Sequence, residues 1–329
     1  MNMRKIDSHV HFGPSDELQS REFLYQKMLK DMDDSGIGKF VILVAEHFGD
    51  ASCRKELEEA LWFKTQQPER VYVFGGLFFD EFDINKPVEA GKQLVVELDE
   101  LLALGCDGLK ILFGKPDSRK MLGRPLDDPI FTPLFNKLEE ISFPIVWHIA
   151  DPEEFWDSNP TPVPQWAHGK NWTYDDTHPS YLKIKSEAEN LFNRHPRLNL
   201  VLPHFYFMSG DLVAAADFLD RHPNISIDTA PGVEMCHNCS TKVDEARDFL
   251  IKYDSRILFG TDSGMGGHNT SLKRSRMMQD WLEIDKEIIV PVDDICMMPD
   301  VKDRFNGLAL PEESLRRIYS ENFLRIMGN

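Results

Sequence analysis

Lys5-Ile6-Asp7-Ser8-His9-Val10-His11 is the stretch that decides the fold of this 329-residue chain. Successive side chains of a β-strand point to opposite faces, so His9 and His11 lie on one face, roughly 7 Å apart along the backbone. Two imidazoles placed in this way can converge on one metal ion. A single His-x-His pair is weak support for a metal site, and the prediction depends on further ligands at the ends of later strands.

Eight short runs rich in Val, Ile, Leu and Phe recur along the chain, and each is followed by a stretch with helical period. The runs lie near residues 4–9, 39–45, 71–79, 108–113, 144–149, 198–204, 224–229 and 256–262. Their apolar residues are continuous rather than alternating, which is typical of parallel strands buried on both faces. Eight repeated βα units predict a closed (β/α)8 TIM barrel, with residues 1–329 forming a single domain.

Two long connections follow the fourth and fifth runs, on the side where barrel enzymes hold their active sites. The first, residues 114–129, carries Lys115, Arg119, Lys120 and Arg124, and the second, residues 150–178, carries Trp156, Trp166, Trp172 and Tyr174. Connections this long are usually functional. The basic residues either receive a substrate carboxylate or form a solvated loop, and the aromatic residues either cover the site or pack onto outer helices.

Three later runs end on a polar residue where the barrel mouth opens. His148 closes the fifth run, His204 the sixth and Asp262 the eighth. One such residue is compatible with a satisfied core position, but several from different strands, together with His9 and His11, indicate a metal site. Imidazole and carboxylate ligands suit zinc, and also iron or manganese.

Several motifs in fixed order resemble the amidohydrolase superfamily. The likeness is greatest to its amidohydrolase-related branch (the amidohydrolase 2 group), which also includes aminocarboxymuconate-semialdehyde decarboxylase and the resorcylate-type decarboxylases. The matching stretches are Asp7-Ser8-His9-Val10-His11, Gly108-Leu109-Lys110-Ile111, Trp147-His148, Pro203-His204, Asn224 to Thr229, Phe259-Gly260-Thr261-Asp262 and Ser320 to Gly328.

The resemblance implies a role for each residue of the site. His9 and His11 would bind the metal from the first strand, with His148 as the third histidine ligand. Asp262 would ligate the metal and carry the catalytic proton. His204 would lie beside the metal, where it would polarise the substrate or act as a base.

Lys110 has two interpretations. In superfamily members with two metals, a lysine at the end of the fourth strand is carbamylated and bridges the ions, and His148 and His204 would then hold the second ion. The alternative is a lysine in a salt bridge at the barrel mouth. We expect one Zn²⁺ rather than a bridged pair, with Mn²⁺ and Fe²⁺ as alternatives.

The resemblance and the residues together predict a metal-dependent hydrolase. Its substrate would be a small lactone, ester or amide that bears a carboxylate, attacked by metal-activated water. The alternative is a metal-dependent, non-oxidative decarboxylase of an aromatic or unsaturated carboxylic acid. A phosphodiesterase is disfavoured because such relatives carry a glutamate where Lys110 stands. A metal-binding protein without catalysis is the remaining alternative.

The charge balance restricts the partners. Lysine and arginine number 37 against 55 aspartates and glutamates, a net charge of −18, which disfavours nucleic acid and anionic membranes. No signal peptide or apolar stretch long enough for a bilayer is visible, and five scattered cysteines fit a reducing cytoplasm. The spacing of Cys236 and Cys239 is interpreted as chance, and the family likeness favours a homodimer.

Three further residues near the mouth are candidates for substrate contact. Glu46 and His47 end the second run, where an ordinary salt bridge is the alternative, and His268 follows the glycines after Asp262.

Overall fold

A computed structural model describes residues 5–46, 52–79, 82–156, 173–232, 234–265, 271–290 and 304–328. Within these ranges the main sheet has nine strands, and every pairing in it is parallel. The strands are β1 (Lys5–Phe12), β2 (Ile37–Leu43), β3 (Val71–Gly75), β4 (Gly108–Gly114), β5 (Ile145–Ile149), β6 (Leu200–Leu202), β7 (Ile225–Asp228), β8 (Ile257–Leu258) and β9 (Ser263–Met265). A separate antiparallel hairpin joins β10 (Glu287–Ile289) to β11 (Arg304–Asn306).

Helices alternate with the strands of the main sheet. They are α1 (Arg21–Asp34), α2 (Ser52–Gln66), α3 (Pro87–Leu104), α4 (Pro116–Leu122), α5 (Thr132–Ile141), α6 (Tyr181–Arg194), α7 (Leu212–Arg221), α8 (Met235–Thr241), α9 (Val243–Lys252), α10 (Ser271–Glu283), α11 (Glu312–Arg316) and α12 (Asn322–Ile326). Ser20 and Ser180 cap α1 and α6 by accepting a backbone N–H with their side chains. None of the described helices is both long and apolar enough to cross a membrane.

The two edges of the sheet meet close to the predicted site. The strand order runs from β8 through β7 down to β1 and then to β9, so β8 and β9 stand at opposite edges. Only residues 259–262 separate them along the chain. The backbone N–H of Ser8 in β1 donates to the Phe259 carbonyl at 2.8 Å. The sheet is therefore a curled α/β sheet of the TIM-barrel type, as the sequence predicted.

The core has two parts because strand side chains alternate between faces. Phe40 and Ile42 of β2 pack in the larger cluster, whereas Val41 and Leu43 belong to a smaller cluster on the other face. The smaller cluster also contains Phe323 and Ile326, with the other members being Ile6, Phe74, Val146, Val201 and Leu258. Helix α12 thus packs against the inner face of the sheet.

The connection over residues 114–129 differs from the predicted loop. It contains α4, which begins at Pro116 and ends where Gly123 adopts φ 67°, a left-handed conformation that favours glycine. In the connection over residues 150–178, Trp156 is buried and its ring lies 4.8 Å from that of Tyr174. Trp166 and Trp172 lie outside the described residues.

Candidate metal centre

Three predicted ligands converge where the edges of the sheet meet. His9 Nε2 and His11 Nε2 are 3.3 Å apart, and Asp262 Oδ1 lies 3.4 Å and 3.1 Å from them. These atoms all lie within 4.8 Å of one another, a spacing that one metal ion can span. The two histidines come from β1, and Asp262 precedes β9 directly, so the parallel pairing of β1 with β9 brings them together. We call these residues the His9–His11–Asp262 cluster.

The far nitrogen of each imidazole is engaged by an acceptor. His9 Nδ1 lies 2.8 Å from Asp228 Oδ2, and His11 Nδ1 lies 3.2 Å from the Leu43 carbonyl. A carboxylate or carbonyl oxygen only accepts, so the proton of each neutral ring resides on Nδ1. The two Nε2 lone pairs then face each other and the Asp262 carboxylate. A cation between them removes this repulsion, and the donor set therefore fits a bound metal ion.

The protonation states of His9 and Asp262 also fit a bound metal ion. Burial, together with the nearby Lys110 ammonium, holds the pKa of His9 well below its usual value, so the ring is neutral. Burial opposes ionisation of Asp262, but the imidazoles of His11, His9 and His204 around it hold the pKa of its carboxyl well below the ordinary value. The cluster therefore presents a neutral imidazole and a carboxylate near neutral pH.

Asp228, at the end of β7, is hydrogen bonded to the His9 ring and to two backbone N–H groups beside the cluster. Besides His9 Nδ1, it accepts the backbone N–H of His204 at 2.9 Å and that of Ala230 at 3.0 Å through Oδ1. Burial raises the pKa of Asp228 to about 6, so it is ionised at pH 7. The sequence interpretation did not single out this residue, although it is a polar residue at the end of an apolar strand, like His148 and Asp262.

His204 is buried beside the cluster. Its ring centroid lies 5.1 Å from that of His9 and 4.8 Å from that of His148. His204 Nδ1 faces the Ala230 carbonyl at 3.3 Å, so its Nε2 presents a lone pair to the cavity. Its backbone φ is 58°, and the next three residues also have positive φ, a strained turn of a kind often found at functional sites.

His148 lines the same cavity but is not part of the His9–His11–Asp262 cluster. Its Nε2 is hydrogen bonded to Asp151 Oδ1 at 3.0 Å, and the other oxygen of Asp151 accepts the Tyr174 hydroxyl. Burial lowers the pKa of His148, so the neutral ring donates Nε2–H to Asp151. Its role as the third metal ligand stays a prediction, as do the roles of the other site residues.

Lys110 is buried within β4, as its third residue, and lines the cavity. Burial lowers the pKa of its ammonium to about 8, against the opposing charges of Asp228, Asp262 and Glu46. Glu46 is also buried. Its Oε1 accepts the backbone N–H of Leu112, its Oε2 has no hydrogen-bond partner in the part of the chain that the structure describes, and burial raises its pKa to about 8.

The cavity has two lobes that share Lys115, His148, His204 and Asp262. The larger lobe, about 390 Å³, holds the metal cluster and Lys110. The smaller lobe, about 100 Å³, adds Asp151 and the mainly apolar residues Pro152, Phe155, Phe207, Pro231 and Gly232. One end of the site is thus polar and the other largely apolar.

The four basic residues of the connection after β4 do not form one cluster. Arg119 is buried and makes a bidentate ion pair with Glu187, at 2.8 Å and 3.0 Å. Lys120 is exposed and donates to the Thr177 hydroxyl, and Arg124 donates to the Ile84 carbonyl. Arg119 therefore fits neither a solvated loop nor a carboxylate-binding position, because Glu187 engages its guanidinium in a buried ion pair.

The remaining sequence candidates lie elsewhere. Cys236 and Cys239 are buried cysteines of α8, and the Cys236 thiol contacts the Met278 sulfur at 3.9 Å. His47 and His268 lie outside the described residues.

Comparison with known proteins supports the fold and the family. A protein-family model described as amidohydrolase matches residues 6–328. No curated protein matches the chain.

Solved structures with three different activities resemble this one. The first is 4-oxalomesaconate hydratase from Rhodopseudomonas palustris, with TM-score 0.58, 17% identity, and 98% and 95% of the two chains covered. The second is 5-carboxyvanillate decarboxylase from Novosphingobium aromaticivorans with bound manganese, with TM-score 0.54, 12% identity, and 99% and 97% covered. The third is an organophosphorus hydrolase variant from Deinococcus radiodurans, with TM-score 0.52, 14% identity, and 98% and 92% covered. At identities this low, the likeness shows a shared fold.

Proposed function

Because the chain belongs to the amidohydrolase family, we propose that it is a metal-dependent hydrolase of a small organic substrate. The observation that carries this proposal is the His9–His11–Asp262 cluster, in which two Nε2 lone pairs and a carboxylate oxygen face one another with both Nδ1 atoms engaged. A lactone, ester or amide fits the chemistry of such a site. In this proposal the chain folds as one domain, a (β/α)8 barrel whose eighth strand consists of β8 and β9.

The metal ligands would be His9, His11 and Asp262, and one Zn²⁺ fits this set, with Mn²⁺ or Fe²⁺ as alternatives. His148 would join them by leaving Asp151. A divalent ion held there would lower the pKa of a water molecule towards ~7 and so supply a nucleophile at neutral pH. A bridged pair would require carbamylated Lys110, with His148 and His204 holding the second ion.

Asp262 and His204 would move the protons of the reaction. The depressed pKa of Asp262 makes it a carboxylate that can accept a proton from the attacking water and later pass it to the leaving group. His204 presents an unprotonated Nε2, because its Nδ1–H faces the Ala230 carbonyl. It would therefore take up a proton before it could donate a hydrogen bond to the developing oxyanion.

Decarboxylation is the alternative, and His204 Nε2 would then serve as the base. The deciding experiment assays the zinc-loaded protein on a panel of lactones, esters and amides for hydrolysis, and of aromatic carboxylic acids for CO₂ release. Hydrolysis that is lost in Asp262→Asn and retained in Lys120→Met supports the proposal. Release of CO₂ without hydrolysis would instead establish the lyase, and turnover unaffected by Asp262→Asn would remove the cluster from the mechanism.

A further inference from the structure

Lys115 is a cation of the cavity wall that the proposed chemistry does not use. It lines both lobes of the cavity, alongside His148, His204 and Asp262. Its side chain is 28% exposed, so the ammonium is partly shielded yet open to the cavity. Among the described residues, the other three basic side chains of the connection after β4 line neither lobe.

Asp151 lies close to Lys115 but does not consume its hydrogen-bonding capacity. The Lys115 Nζ to Asp151 Oδ2 distance is 3.8 Å, beyond hydrogen-bond range. Asp151 Oδ2 already accepts the Tyr174 hydroxyl, and its Oδ1 is bonded to His148. Among the described residues, the Lys115 ammonium therefore keeps its donors for a ligand while Asp151 holds it near the cavity.

The smaller lobe has an apolar wall beside Lys115, Asp151 and Asp262. Phe155, Phe207, Pro152 and Pro231 line the smaller lobe, and the Phe207 ring stacks on His204 with centroids 5.4 Å apart. An apolar ligand body would be buried there, beside the ammonium.

We infer that Lys115 forms an anion subsite distinct from the metal cluster. The ligand it selects is a small organic anion with an apolar body, whose carboxylate binds Lys115 while a separate group reaches the His9–His11–Asp262 cluster. The statement that this ligand is the substrate rests on the proposed function. The existence of the subsite does not.

The test measures binding rather than turnover, by calorimetric titration of the zinc-loaded protein with benzoate and with its neutral analogue benzamide. We expect wild-type protein to prefer benzoate. Lys115→Met keeps the aliphatic length without the charge, and it should weaken benzoate binding about 10-fold or more, the usual effect of losing a charge-assisted hydrogen bond. Benzamide binding should stay within about 2-fold by the same reasoning.

Two matched variants complete the design. Lys120→Met removes an exposed lysine of α4, the helix that follows Lys115, and Lys115→Arg keeps the charge, so both should bind benzoate nearly as wild type does. Equal affinity of wild type for benzoate and benzamide overturns the inference. So does unchanged benzoate binding in Lys115→Met, which would place the carboxylate on the metal alone.

The two proposals fail separately. Absence of hydrolysis across the substrate panel, with benzoate binding that depends on Lys115, would sink the hydrolase and leave the subsite. Hydrolysis that requires Asp262 but shows no dependence of benzoate binding on Lys115 would do the reverse.

Discussion

Asp228→Asn perturbs the metal centre without replacing a predicted ligand. The Asp228 carboxylate accepts three hydrogen bonds, from His9 Nδ1 at 2.8 Å and from the backbone N–H groups of His204 and Ala230. An asparagine oxygen can keep both backbone bonds. Its amide group would then face His9 Nδ1 with a donor, which favours the tautomer with the proton on Nε2. That proton would point into the His9–His11–Asp262 cluster.

The expected loss of zinc affinity is about 10–100-fold, as is usual when the partner of a ligating histidine is removed. This corresponds to about 1.4–2.7 kcal/mol of binding free energy. Competition with a chromophoric chelator measures the zinc dissociation constant directly, and circular dichroism monitors the fold.

Asp7→Asn is a matched control for this experiment. Asp7 is as buried as Asp228, but it accepts the backbone N–H of His9 and the groups of Thr261 rather than a ring nitrogen. It should change zinc affinity far less. A folded Asp228→Asn protein with wild-type zinc affinity would refute the tautomer argument.

Two further predictions concern stability away from the ligands. Arg119→Met leaves the buried Glu187 carboxylate without its bidentate partner. It should lower the free energy of unfolding in urea by about 3 kcal/mol and leave benzoate binding unchanged. A loss of benzoate binding at wild-type stability would instead place Arg119 in the site. Burial raises the pKa of Glu234 to about 8, and neither of its oxygens has a hydrogen-bond partner among the described residues. From about pH 5 to pH 7.5 the Glu234 carboxyl is ionised in the unfolded state and keeps its proton in the folded state. Its contribution therefore lowers the free energy of unfolding as the pH rises. Glu234→Gln should flatten that fall, which unfolding curves at the two pH values would show, and an unchanged slope would contradict the prediction.

The sequence predicted the positions that depend on strand ends. His9, His11 and Asp262 come together because parallel strands direct their carboxyl ends to one edge, and each follows or ends an apolar run. The same rule applies to Asp228, which ends the apolar run of β7, but strand position alone does not distinguish a carboxylate that holds a ligating histidine from one that binds the metal. Most strands and the helices between them followed from the apolar runs and the helical periodicity, but β9 and the hairpin of β10 and β11 lie outside the eight predicted runs.

Other features depend on side-chain direction, which no periodicity encodes. Arg119 and Lys115 lie four residues apart, yet one pairs with Glu187 and the other lines the cavity. Helix α4 was missed because its polar, basic surface looks like a solvated loop. The bond between His148 and Asp151 joins a strand end to a loop, and nothing in the spacing required the His148 ring to turn away from the cluster.

Anomalous diffraction at the zinc edge, from crystals of the zinc-loaded protein, tests the metal centre most directly. The account predicts one peak at about 2.0–2.2 Å from His9 Nε2, His11 Nε2 and an Asp262 oxygen. No peak at these three atoms, in a protein whose zinc content is stoichiometric, would contradict it.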